Sequence, residues 1–197
     1  MNIQYLQGPF QHGGMEYKSP YMAALLDARA ATGRDINTGE IIDSNKVGNW
    51  SGALAYMVLI DHIGIFLSKV TGGNTDRIKF VKALKDFTNL SNPHIYALYA
   101  LRCAFAHQYS LINVGKGHNA ALLHHQFNVH RGELLIALPP FPWNGIRTEA
   151  TNNLITSISL KKLGDLVEEI HKTLLIMASE NQLKDDGELI FIHYPVL

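Results

Sequence analysis

Asn92–Asn113, NPHIYALYALRCAFAHQYSLIN, is the stretch that decides how this chain is read: its start is marked, its apolar content is high, and it carries Arg102 and His107. Asn92 suits an N-cap and Pro93 the first helical position, where a missing N–H costs nothing because that donor has no intrahelical partner. From there Ile95, Leu98, Leu101, Cys103, Phe105, Ala106 and Leu111 supply enough apolar surface for a helix covered on more than one side. Two strong bases are unexpected in such a setting. Either they are functional, or they are a snorkelling Arg and a satisfied core His beside a packed Tyr109.

Working outward, the chain offers other helices. Ser19-Pro20 repeats the cap-plus-proline signal and opens a short Ala-rich helix ending at Gly33. Trp50–Val70 reads as a buried helix; Asp61 and His62 interrupt it, so no run is long and apolar enough for a membrane span. These two residues read first as the helix's exposed stripe, and second as partners of the site on a neighbouring helix. After the breaker Thr71–Asn74, Asp76–Phe87 places Ile78, Val81, Leu84 and Phe87 at helical spacing, with Lys79, Lys82 and Lys85 forming a basic outer face. Ser159 caps a final long helix over Leu160–Ala178.

Between the last two helices, residues 114–150 read as an insertion. Gln126–Val129 and Glu133–Leu138 flank His130-Arg131-Gly132 as a β-hairpin. Residues 1–18 are expected to be irregular, and Leu189–Tyr194 to be a strand or tail pairing with the hairpin. The architecture expected is all-α in one domain over 1–197: an antiparallel four-helix bundle with an extra N-terminal helix and a small hairpin insertion. The formal charge of zero excludes a global attraction to nucleic acid, so any RNA binding needs a local patch. The single cysteine, Cys103, excludes an intrachain disulfide, and the opening MNIQYLQG lacks the pattern of a signal peptide, so the expected location is cytoplasmic.

Leu101-Arg102-Cys103-Ala104-Phe105-Ala106-His107 resembles the signature of the HEPN superfamily, all-helical domains in which Arg, four to six residues and His share one bundle helix. Tyr109 sharpens the likeness. Arg, four residues, His, one residue, Tyr is the form found in HEPN toxins whose partner, a minimal nucleotidyltransferase antitoxin, adenylylates the tyrosine. Cys103 departs from the usual motif, which often has a polar residue directly after the Arg. The resemblance implies a toxin or phage-defence endoribonuclease whose site is completed by homodimerisation. Arg102 and His107 would be catalytic, with Tyr109 and Cys103 lining the cleft, and neither metal nor cofactor would be needed.

Spacing adds a separate argument. Arg102 and His107 lie five positions apart, about 7.5 Å of rise and about 140° of rotation, so one helix serves a single phosphate poorly. Two such helices across a twofold axis bring both residue types into one cleft. Tyr109, seven residues beyond Arg102 on a continuing helix, would line the same cleft. In such a site the substrate's 2′-hydroxyl attacks the adjacent phosphorus and leaves a 2′,3′-cyclic phosphate. His107 moves the proton while Arg102 holds the charged phosphorane. Two rivals stand beside this reading: an inactive RNA-binding or regulatory dimer, and a metal site built from His118, His124, His125 and His130.

Overall fold

The computed structural model describes residues 5–8, 10–12, 15–69, 76–116, 120–146, 152–185 and 192–194. Its helices are α1 (Pro20–Ala31), α2 (Trp50–Phe66), α3 (Lys79–Phe87), α4 (Asn92–Gln108) and α5 (Leu160–Ser179). The caps explain their starts. The hydroxyl of Ser19 accepts from Met22 N, the carboxamide of Asn49 from Gly52 N, and the hydroxyl of Ser159 from Lys162 N. Each satisfies one donor that the first helical turn leaves without an intrahelical acceptor.

The helix at the centre is α2 rather than α4. Its composition is apolar almost all round, as a helix surrounded by neighbours requires, and it packs against α1, α3, α4 and α5. Tyr56, Met57, Leu59, Ile60 and Ile63 are fully buried along it. At Gly64 the backbone of α3 comes so close that an added Cβ would overlap the Lys79 carbonyl. Helix α3 keeps only part of the basic outer face expected of it: Lys79 is exposed, but the other two lysines are engaged. Lys82 is buried, with Nζ 3.8 Å from Asp86 and 3.4 Å from the Leu67 carbonyl, and Lys85 pairs with Asp76 at 2.8 Å.

An all-α bundle is overturned by the strands. Among the described residues three sheets accompany the helices, making the fold a mixture of α and β. The N-terminal segment expected to be irregular forms β1 (Phe10–His12) and β2 (Met15–Lys18), which pair antiparallel. Their sheet is completed by the C-terminal strand, Ile192–Tyr194, pairing with β2 rather than with any hairpin. The end of α2 continues into β3 (Leu67–Lys69), which pairs with Leu183–Asp185 after α5 and ties the two helices together. Thr71–Asn74 and Leu189–Phe191 lie outside the described residues.

The largest sheet contains β4 (Ile112–Asn113), β5 (His125–His130), β6 (Ile136–Ala137) and β7 (Ile155–Ser159), in the order β4-β5-β7-β6. The remaining strands, β8 and β9, are Leu183–Asp185 and Ile192–Tyr194. The expected hairpin between β5 and β6 is absent, because β7 lies between them. It is parallel to β5, from Gln126↔Ile155 to His130↔Ser159, and antiparallel to β6. The reason is burial: Thr156 and Ile158 on β7 are fully enclosed, which suits the middle of a sheet better than its edge. The turn at His130-Arg131-Gly132 instead meets the start of α5, where Ser159 Oγ donates to the Gly132 carbonyl and Ser159 N to the Leu135 carbonyl. The range 114–150 therefore carries two strands of a sheet whose other two, β4 and β7, lie outside it.

Candidate active site

Helix α4 carries the expected site residues, and its ends differ from expectation. Ser91 is the N-cap, and Asn92 and Pro93 form the first turn. The helix stops at Gln108 instead of running to Asn113. Tyr109 takes a left-handed conformation (φ 46°, ψ 49°), its N–H reaching the Phe105 carbonyl and that of Ser110 the Ala104 carbonyl. After this turn the chain enters β4. A left-handed residue other than Gly is unusual, so the stop carries no sequence signal of the ordinary kind.

Arg102 points across to α2. Its Nε donates to Asp61 Oδ2 at 2.8 Å, and Nη2 lies 2.8 Å from the same oxygen; neither contact uses Nη1. Both side chains are partly exposed, at 27% and 20%. Burial opposes the guanidinium's charge, but the hydrogen bond and negative charge of Asp61 outweigh it and hold its pKa above the ordinary value. Asp61 thus belongs to the site. The first reading of Asp61-His62 as a bare exposed stripe fails for Asp61, whose signal was its place in an otherwise apolar helix. His62 is half-buried, its ring 5.4 Å from Phe66; burial pushes its pKa down against the pull of Asp61.

Beside Arg102, Cys103 is half-buried, one turn beyond Tyr99 on the same helix. Burial and then Cys103 raise the Tyr99 phenol's pKa, with Arg102 opposing. His107 is exposed near the end of α4. Tyr109 is 55% exposed, and its ring packs 5.4 Å from Trp50 and 6.2 Å from Phe105. Trp50 opens α2 while Asp61 lies eleven residues on, about 16 Å along the axis. Arg102 and Tyr109 thus engage stations three turns apart on α2, and the expected shared face is lost because the helix ends before Tyr109.

The histidines considered as metal ligands are engaged with the protein. His124 Nε2 lies 3.1 Å from the Gly115 carbonyl; His125 Nε2 lies 3.2 Å from the Leu122 carbonyl and its Nδ1 2.9 Å from the Thr156 hydroxyl. His130 Nδ1 accepts from Gly132 N at 2.8 Å. His118 is outside the described residues, among which no group of three or more metal-ligating side chains converges.

A second polar cluster was not anticipated. Arg29 on α1 makes a two-pronged ion pair with Glu168 on α5, Nε–Oε1 at 2.9 Å and Nη2–Oε2 at 2.7 Å, and both residues are buried. Tyr56 donates to the same carboxylate at 2.9 Å, and Arg29 Nη1 donates to the carbonyls of Ile36 and Asn37. Alongside, Tyr21 Oη lies 3.0 Å from His171 Nδ1, and Arg34 reaches Asp165 at 2.6 Å. Burial, then Arg29, push His171 down to about 4, with Glu168 opposing. The carboxylate and guanidinium charges are consumed within the protein, so this cluster clamps α1, the following loop and α5 together. Its one sequence trace was Glu168 and His171 among the apolar positions of α5.

Comparison with known proteins finds no matching family model, no matching curated protein and no matching solved structure. Among the described residues, no helix is long and apolar enough to cross a membrane.

Proposed function

We propose that this chain is a metal-independent endoribonuclease acting as a homodimer, with Arg102 and His107 as its catalytic residues. The observation that carries the reading is the Arg102–Asp61 pair. It fixes a guanidinium at a partly exposed position on α4, five residues before an exposed histidine, and leaves Nη1 uncommitted. A guanidinium held from one side is pre-organised for a phosphate oxygen on the other, so less side-chain entropy is lost on binding. His107 transfers the proton of the attacking 2′-hydroxyl, and a second copy supplies the complementary pair across a twofold axis.

Balance is simple. The 2′-oxygen forms a bond to phosphorus as its proton passes to a histidine, the bond from phosphorus to the 5′-oxygen breaks, and that oxygen takes up a proton. The products are a 2′,3′-cyclic phosphate and a 5′-hydroxyl. Tyr109, exposed beyond the helix end, is accessible for adenylylation by a nucleotidyltransferase antitoxin, in keeping with the toxin form of the reading. The test is cleavage of single-stranded RNA with EDTA present by the wild type, Arg102→Ala and His107→Ala.

One observation favours a second reading, an RNA-binding dimer without catalysis. Asp61 neutralises the charge that would stabilise the phosphorane, and the α3 lysines Lys82 and Lys85 are spent on internal pairs. RNA binding without cleavage in the same assay selects it.

A further inference from the structure

We propose that the cavity between the start of α4, the turn before β5 and the proline segment after β6 is a binding site for an uncharged, planar, nitrogen-bearing ring of nucleobase size. The cavity has a volume of about 240 Å³. An apolar cavity of roughly 150 Å³ is enough to hold benzene, so a one- or two-ring heterocycle fits here. Its lining includes the aromatic rings of Tyr96 and buried Trp143 and the prolines Pro139, Pro140 and Pro142, whose rings cannot turn aside. Trp143 is itself fixed by a 3.1 Å bond from Nε1 to the Ile146 carbonyl. Leu122 and Leu138 line the cavity and are partly exposed, at 47% and 37%, so a ligand enters from solvent.

The polar atoms decide the ligand's chemistry. Among the described residues, no Asp, Glu, Lys or Arg lines the cavity, a lining that favours an uncharged ligand on desolvation grounds. His125 bonds a carbonyl through Nε2, so that nitrogen carries the proton and Nδ1 accepts from the Thr156 hydroxyl; both ring atoms are used. His124 Nε2 lies against the Gly115 carbonyl in the same way, and in the tautomer that donates from Nε2 its Nδ1 is an acceptor. Thr156, having donated its proton, offers only lone pairs. The vacant capacity of His124 and Thr156 is for accepting, so a ring that donates an N–H suits them, while the Tyr96 hydroxyl in the lining can also donate to a ring nitrogen. Nucleobases combine flat faces, neutrality and N–H donors. The base arrives either free or as an unpaired member of an RNA strand.

This site stands independently of the proposed cleavage. The experiment uses the full chain in a Trp50→Phe background, in which Trp143 is the remaining tryptophan, and titrates it with free adenine and free cytosine. Saturable quenching of Trp143 by at least one base is expected, with affinity reduced roughly tenfold or more by Ala121→Phe at the mouth. 6-Dimethylamino-9-methylpurine, the same ring without an N–H, is expected to bind adenine's site roughly tenfold more weakly. An RNA oligonucleotide that competes with the base assigns the ring to a strand; one that does not assigns it to a free base. Absence of saturable quenching by either base, or equal affinity in Ala121→Phe, overturns the proposal. Arg102→Ala retains base binding in either case, so loss of cleavage and loss of the pocket are read separately.

Discussion

In the proposed ribonuclease, chemistry and stability come apart at Arg102 and His107. His107 is exposed and Arg102 partly so, in a pair whose loss costs no more than about 1 kcal/mol at such exposure. Arg102→Ala and His107→Ala are therefore expected to abolish RNA cleavage while leaving the denaturant midpoint nearly unchanged. Asp61→Asn keeps the shape but removes the charge that orients the guanidinium, and is expected to slow cleavage roughly tenfold. His171 behaves in the opposite way. It is buried and neutral in the folded protein, with a pKa near 4, whereas in the unfolded chain it takes up a proton near the ordinary ~6.5. Its contribution to stability is complete above that ordinary value and is lost as pH falls from there to about 4, a change of roughly 3 kcal/mol. His62 and His125, also lowered by burial, act with the same sign. His171→Gln keeps an acceptor for Tyr21 but cannot titrate, so unfolding measured between these pH values is expected to lose one proton's share of its slope, at most about 1.4 kcal/mol per pH unit. An unchanged slope contradicts the burial argument.

At the scale of elements, what could be read in the sequence was whatever is set locally. Ser19 and Ser159 cap α1 and α5 because a hydroxyl next to a helix start needs no distant partner, and both were legible. Strand pairing was not. The sequence around His130-Arg131-Gly132 favours a turn, but it holds no record that Ile155–Ser159, more than twenty residues on, displaces the nearer strand. Arg102 stood out as a base on an apolar helix and Asp61 as an acid on another, but their pairing was not legible, and the Arg29–Glu168 clamp joins positions too far apart to be associated without coordinates. The end of α4 was hidden for another reason: Tyr109 adopts a conformation that a tyrosine does not advertise. The contact between α2 and α3 at Gly64 has a measurable consequence. Gly64→Ala is expected to lower stability by about 1–3 kcal/mol through forced separation of the two helices, despite alanine's better helix propensity. A more stable Gly64→Ala protein contradicts that packing.

For the whole molecule, a mixed α/β fold with zero formal charge and a site spread around one helix raises the question of what completes it. The 140° between Arg102 and His107, about five residues of an α-helix, is what points to a second copy. Light scattering is expected to give roughly twice the chain mass. Mixing Arg102→Ala with His107→Ala is expected to restore part of the activity each lacks alone, since a mixed dimer holds one arginine and one histidine in the shared cleft. No restoration despite subunit exchange places each site within a single chain. The most direct measurement is cleavage of a defined single-stranded RNA by the purified protein in EDTA, with the product ends identified. The account predicts cleavage that survives the chelator, ends carrying 2′,3′-cyclic phosphate, and no cleavage by Arg102→Ala or His107→Ala; wild-type rates from either variant, or activity that EDTA stops and magnesium or zinc restores, would contradict it.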